Sequence, residues 1–312
     1  MTATPPAIEA RALSKRYGRS LALDAVDFSV AAGTVFGMIG PNGAGKTTTM
    51  RLLLDIIRPS SGSATVLGSD PRTGGPALRT QIGYLPGELQ LEGRVTGRAL
   101  LGHYARISGT VAPGAIDSLA DRLGLELDRQ VRTLSKGNKQ KLGLVQAFMH
   151  SPRLLVLDEP TSGLDPLVQQ EFLAMVREAR DAGQTVFLSS HVLSEIQQAA
   201  DEVAILRQGR IVTVSSVDQL RQTAVRKVRA GFIGVTAADL SFALSRIPNV
   251  TELVATDGAG NGPAELTATV SGDIDAFVKA IARFTIADLA VEEPDLEQSV
   301  LRLYGVEASH EQ

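Results

Sequence analysis

Cysteine is missing from all 312 residues, and tryptophan with it. Without thiols the chain holds no disulfide and no thiolate metal site, and its redox compartment is left open. Aromatic residues make up only 4%, too few for the stacking platforms that hold single-stranded bases. Neither sign of charge dominates. Lys and Arg number 31 against 34 Asp and Glu, a net −3, and a general nucleic-acid binder carries a basic excess instead. No uninterrupted apolar run approaches the roughly 18 residues that cross a bilayer, so a membrane role has to pass through a partner chain. The opening MTATPPAIEA has neither the basic nor the apolar region of a signal peptide. What remains is 44% hydrophobic, ample for one large domain or two.

The most informative stretch is GPNGAGKTTTM, Gly40 to Met50. Gly40, Gly45, Lys46 and Thr47 satisfy G-x-x-x-x-G-K-S/T, with Pro41, Asn42, Gly43 and Ala44 inside the loop and Thr48 just after it. The apolar GTVFGMI before it reads as a buried strand. After it, KTTTMRLLLDIIRP carries Met50, Leu53, Leu54 and Ile57 at helical spacing, with Pro59 as the stop. A glycine-rich turn between strand and helix brings backbone N–H groups and a helix N-terminus close to a ligand, a positive cradle for phosphate. Lys46 adds a full charge and the Thr47 hydroxyl suits Mg²⁺. G-x-G-x-x-G is absent here, so the loop indicates a nucleoside triphosphate rather than a dinucleotide.

A second apolar run, RLLVLDEP (Arg153 to Pro160), reads as a strand delivering Asp158 and Glu159 at its C-terminal end, the edge where open α/β sheets bind ligands. Asp158 is placed to hold Mg²⁺, and Glu159 to accept a proton from an attacking water. Ser135 opens a helix in TLSKGNKQKLGLVQAFMH, either as an ordinary N-cap or as part of a second anion site with Gly137. TSGLDP is a turn, and TVFLSSHVLSEI is a strand that delivers His191.

In this order the motifs resemble those of the nucleotide-binding subunits of ATP-binding cassette transporters, over roughly residues 7 to 220. The matching segments are the phosphate loop GPNGAGKTT, the signature LSKGN, the Walker B segment LLVLDE, the D-loop SGLD and the switch histidine in SSHV. Tyr17, in SKRYG, stands where the family stacks an aromatic on adenine. The resemblance implies ATP and Mg²⁺ as ligands and an α/β P-loop NTPase fold with a helical subdomain over about 88–150. It also implies a head-to-tail dimer in which each ATP lies between the phosphate loop of one copy and Ser135 and Gly137 of the other. Lys46 and the loop amides then hold the β- and γ-phosphates. Thr47 binds Mg²⁺ directly and Asp158 through water. Glu159 is the base, His191 contacts the γ-phosphate, and Asp165 passes information between the two sites. The implied partner is a transmembrane permease on a separate chain, which puts this subunit on the cytoplasmic face of the membrane as a peripheral protein.

Two departures stand out. Gly87 and Glu88 take the place of the glutamine that the family has after GYLP, and in the signature Lys136 and Asn138 replace a glycine and a glutamine. Both variants resemble single-cassette ATPases of bacterial drug and antibiotic exporters of the daunorubicin-resistance type. An importer ATPase and a soluble non-transport cassette ATPase are the alternatives. A GTPase is disfavoured, because NKQK lacks the acid that reads guanine. Residues 1 to about 85 with 150 to 215 should form the sheet-centred core of an ATPase domain covering 1–220. Residues 221–312 read as a small α+β accessory module, ferredoxin-like in its strand–helix–strand–strand–helix–strand order, with an amphipathic helix in the final EPDLEQSVLRLYG. His103 and His150 have no His, Asp or Glu at helical ligand spacing and read as structural or exposed.

Overall fold

The computed structural model describes residues 5–292 apart from positions 90, 92, 193–195, 224, 248 and 259–261. The chain divides into two compact units, 1–215 and 216–312.

A six-stranded sheet of order β5-β6-β7-β3-β8-β9 centres the first unit. It comprises β3 (Val35–Ile39), β5 (Ile82–Leu85), β6 (Leu154–Asp158), β7 (Thr185–Ser190), β8 (Glu202–Arg207) and β9 (Arg210–Ser216). The strands from β5 to β8 in that order run parallel. Every residue of β3, β6 and β7 is buried. A parallel sheet covered on both faces selects such continuous apolar runs. A three-stranded antiparallel sheet of order β2-β1-β4 joins it: β1 (Ile8–Tyr17), β2 (Ser20–Val30) and β4 (Ser61–Val66). Phe28 of β2, Phe36 of β3 and Phe187 of β7 stack with centroids 5.8 to 5.9 Å apart, in a cluster that includes Met38, Met50 and Leu53.

Helix α1 (Lys46–Leu53) starts at the end of the phosphate loop. It stops one turn earlier than the apolar spacing to Ile57 predicts. Asp55 adopts a left-handed conformation (φ 53°), and both Ile56 and Ile57 donate back to Arg51 O. The stop is therefore set at Asp55, ahead of Pro59. A short α2 (Gly75–Arg79) follows. Between β5 and β6 lie α3 (Gly97–Ala105), α4 (Ala115–Arg122) and α5 (Lys136–Phe148), the helical subdomain. Hydroxyl caps open two of them: Thr96 accepts from Ala99 N, and Ser135 accepts from Asn138 N. After β6 comes α6 (Pro166–Asp181), capped by Asp165 with proline in its first turn. Arg122 of α4 bonds Glu171 and Glu178 of α6 at 2.6 to 2.8 Å, tying the helical subdomain to the core. His103 is exposed on α3, and His150 is buried.

The second unit begins with α7 (Val217–Thr223). It continues through β10 (Val225–Ile233), α8 (Ala237–Leu244), β11 (Val250–Thr256), β12 (Ala264–Ser271), α9 (Asp275–Ile281) and β13 (Thr285–Val291). The sheet order is β11-β12-β10-β13, and all its pairs are antiparallel. Phe232, Leu240, Leu244, Phe277 and Ile281 form its core. The helix expected in EPDLEQSVLRLYG lies outside the described residues.

Candidate active site

The phosphate loop turns between β3 and α1 under tight steric control. A Cβ at Gly40 would stand 2.2 Å from Leu206 O. Gly45 has φ +115°, and a Cβ there would meet Ala22 O at 2.7 Å. Only glycine fits either place. Pro41, Asn42 and Gly43 are exposed on the rim, Ala44 is buried, and Thr47 and Thr48 are half-buried in the first turn of α1. Lys46 is buried, and its Nζ donates to Gly40 O at 2.7 Å, so the ammonium arches back over the loop.

Both acids arrive from β6, two strands away from β3 in the sheet. Asp158 ends β6, and Glu159 follows in a left-handed conformation (φ 47°) that is costly for a residue with a side chain. Its carboxylate reaches Lys46 Nζ at 3.2 Å through Oε1 and His191 Nδ1 at 2.7 Å through Oε2. The structure thus brings Lys46, Glu159 and His191 into one cluster. Asp158 is fully buried. Its Oδ1 accepts from Ser189 Oγ at 2.6 Å, and Oδ2 has no hydrogen-bond partner among the described residues. Such an orphaned oxygen is unfavourable unless something else meets it. Gly87 lies alongside, where a Cβ would stand 3.1 Å from Oδ2, whereas Glu88 is exposed. Burial raises the Tyr84 phenol pKa, and the charge of Asp158 adds to the rise.

Tyr17 ends β1 with its ring about half exposed and the Lys15 ammonium 5.1 Å from the ring centroid. Ser135 and Gly137 occupy the first turn of α5, and their bonds stay local. Ser135 caps the helix, and a Cβ at Gly137 would stand 2.6 Å from Gly163 O of the D-loop. Lys136 lies along the same turn, its Nζ 3.3 Å from Ser162 Oγ. Asp165 is the N-cap of α6, accepting from Val168 N.

Two residues escaped the sequence reading. Gln140 is buried in α5 and donates to the carbonyls of Glu159 and Pro160 at 3.2 and 3.1 Å. Ser189 donates to Asp158 and also accepts from Glu159 N at 3.1 Å. In the sequence Ser189 is one of three hydroxyl residues in β7, marked out only by standing two residues before His191.

A family model described as "ABC transporter" matches residues 23–162. A daunorubicin resistance ATP-binding protein, DrrA3 of Streptomyces coeruleorubidus, is 34% identical over 309 residues, 96% of each chain. The chain belongs to the ABC transporter family. The bacitracin transport ATP-binding protein BcrA of Bacillus licheniformis is 37% identical over 67% of this chain and 70% of its own length. A solved ATP-binding subunit of an ABC transporter matches with TM-score 0.64 and 30% identity, over 69% of this chain and 91% of its own. The first unit is accordingly an ABC-transporter ATPase domain, a P-loop NTPase with a helical subdomain, which binds and hydrolyses ATP. Family membership implies Mg²⁺, and the donor chemistry fits it: a buried carboxylate oxygen of Asp158 without a hydrogen-bond partner among the described residues, and the half-buried Thr47 hydroxyl at the start of α1. Among the described residues no cluster of three or more His, Cys, Asp or Glu is set to hold a metal by itself. Among them, too, no helix is long and apolar enough to cross a membrane.

Proposed function

We propose that this chain is the ATPase subunit of a membrane exporter whose permease is a separate polypeptide, and that its cargo is a drug or antibiotic. Residues 1–220 form the ATPase domain and 221–312 an accessory module. The observation that carries the site assignment is the cluster Lys46–Glu159–His191 beside the orphaned Asp158 oxygen. Export is supported by the likeness to the daunorubicin resistance protein, which spans both units.

The residues divide the work as follows. Tyr17 offers its exposed face to the adenine. The loop Gly40–Thr48 surrounds the phosphates with backbone N–H groups, and Lys46 exchanges Glu159 for the γ-phosphate. That exchange frees the Glu159 carboxylate to take a proton from water, with His191 holding its other oxygen in place. Thr47 and Asp158 hold Mg²⁺, which when bound neutralises charge on the transferring phosphate. Two copies act together. Ser135 and Gly137 of one copy complete the phosphate shell of the other, and Asp165 relays between sites. Loss of the γ-phosphate removes the bridge and opens the pair. The permease anchors the subunit as a peripheral protein on the cytoplasmic face.

The test is co-expression with candidate membrane proteins from neighbouring reading frames, reading drug efflux and ATP turnover. Glu159→Gln should keep ATP binding and lose both readouts, and Lys46→Ala should also lose ATP affinity. An efflux rate unchanged by Glu159→Gln refutes the reading.

A further inference from the structure

Asp158 and Ser189 are register partners on the parallel strands β6 and β7, so their side chains emerge beside each other at the same edge. Ser189 is fully buried. Its single hydroxyl serves both acids of the site, donating to Asp158 Oδ1 at 2.6 Å and accepting from the backbone N–H of Glu159 at 3.1 Å. The first bond occupies one carboxylate oxygen and leaves the other, Oδ2, without a partner. Gly87 keeps the space beside Oδ2 clear, since any side chain there would begin 3.1 Å away. The second bond pins the backbone of Glu159 in its left-handed turn, the conformation from which the carboxylate meets both Lys46 and His191.

We propose that Ser189 is a positioning residue for both acids. Its hydroxyl fixes which oxygen of Asp158 is presented to the magnesium shell, and it holds Glu159 turned toward the attacking water. The inference rests on reading this cluster as a magnesium–ATP site. Groups that orient a metal-binding carboxylate typically control metal affinity or activity by about 10- to 100-fold. A serine that merely filled space would control neither.

The experiment uses the full-length chain with a non-hydrolysable ATP analogue and Mn²⁺, whose binding is read by electron paramagnetic resonance. Nucleotide affinity in EDTA and thermal unfolding are measured in parallel. Ser189→Ala should weaken Mn²⁺ binding by about tenfold or more, leave nucleotide affinity in EDTA unchanged, and lower kcat far more than it raises KM. Ser189→Thr, which keeps the hydroxyl, should restore Mn²⁺ affinity. If Ser189→Ala is too unstable to study, Ser189→Cys, nearly the same size and a weak donor, should show the same selective loss. Wild-type Mn²⁺ affinity and kcat in a folded Ser189→Ala chain overturn the proposal and leave the site reading standing. An equal loss of nucleotide affinity with and without metal also overturns it, since that marks a general structural role. A wild-type chain that binds the analogue with no dependence on Mn²⁺ instead overturns the site reading itself.

Discussion

Replacing Gln140 by leucine tests how firmly α5 supports the turn that carries Glu159. Gln140 is 3% exposed, and its Nε2 donates to Glu159 O at 3.2 Å and Pro160 O at 3.1 Å. Leucine keeps the volume and removes the donor. Glu159 O retains a second donor, Ser162 N at 3.1 Å, so its loss is an ordinary hydrogen bond of about 1 kcal/mol. Pro160 O loses the Gln140 donor at a buried position, which costs about 1–3 kcal/mol. The sum is about 2–4 kcal/mol. For a unit of this size that lowers Tm by roughly 5–15 °C. Lys136→Ala is the control: Lys136 is exposed, and its loss should change stability by less than about 0.5 kcal/mol. Thermal unfolding followed by circular dichroism gives both numbers, and steady-state ATPase assays give the consequence. Gln140→Leu should turn over ATP more slowly, because Glu159 stands on the turn that the amide braces. A Gln140→Leu protein that melts within a degree or two of wild type and keeps full kcat refutes this coupling.

Two further outcomes follow from the same geometry. Arg122→Ala removes the ties from α4 to Glu171 and Glu178, half-exposed ion pairs worth about 1 kcal/mol together. Urea unfolding in low salt should show that loss, and 1 M salt should shrink it. Burial, with neither ring nitrogen hydrogen-bonded among the described residues, pushes the His150 pKa below its ordinary value. In that case the unfolded chain binds the proton first as pH falls through about 6.5. Wild-type stability should therefore decline from pH 7 toward pH 5, and His150→Gln should flatten the slope. An equally steep decline in the variant contradicts the assignment to His150.

The parts of this fold that are legible in the sequence are those dictated locally. β3, β6 and β7 are written as apolar runs, because a parallel sheet buried on both faces leaves no room for alternation. Gly40 and Gly45 announce a loop pressed against other backbone. β1 and β2 are harder to read, since register shifts interrupt their pairing and charged residues interleave with apolar ones. The early end of α1 turns on a left-handed Asp55, which apolar spacing does not encode. Ser189 and Gln140 were invisible as site residues for another reason. Their partners lie 31 and 19 to 20 positions away, and the register that unites them is tertiary.

The central claim is a nucleotide pocket completed by a second copy of the chain. Light scattering on the Glu159→Gln protein with saturating Mg²⁺–ATP measures it most directly, alone and with the membrane subunit. The account predicts a mass that doubles with ATP, returns to that of one chain with ADP, and stays at one chain when Ser135→Arg is added. A particle with one cassette at saturating ATP, with and without the membrane subunit, contradicts it.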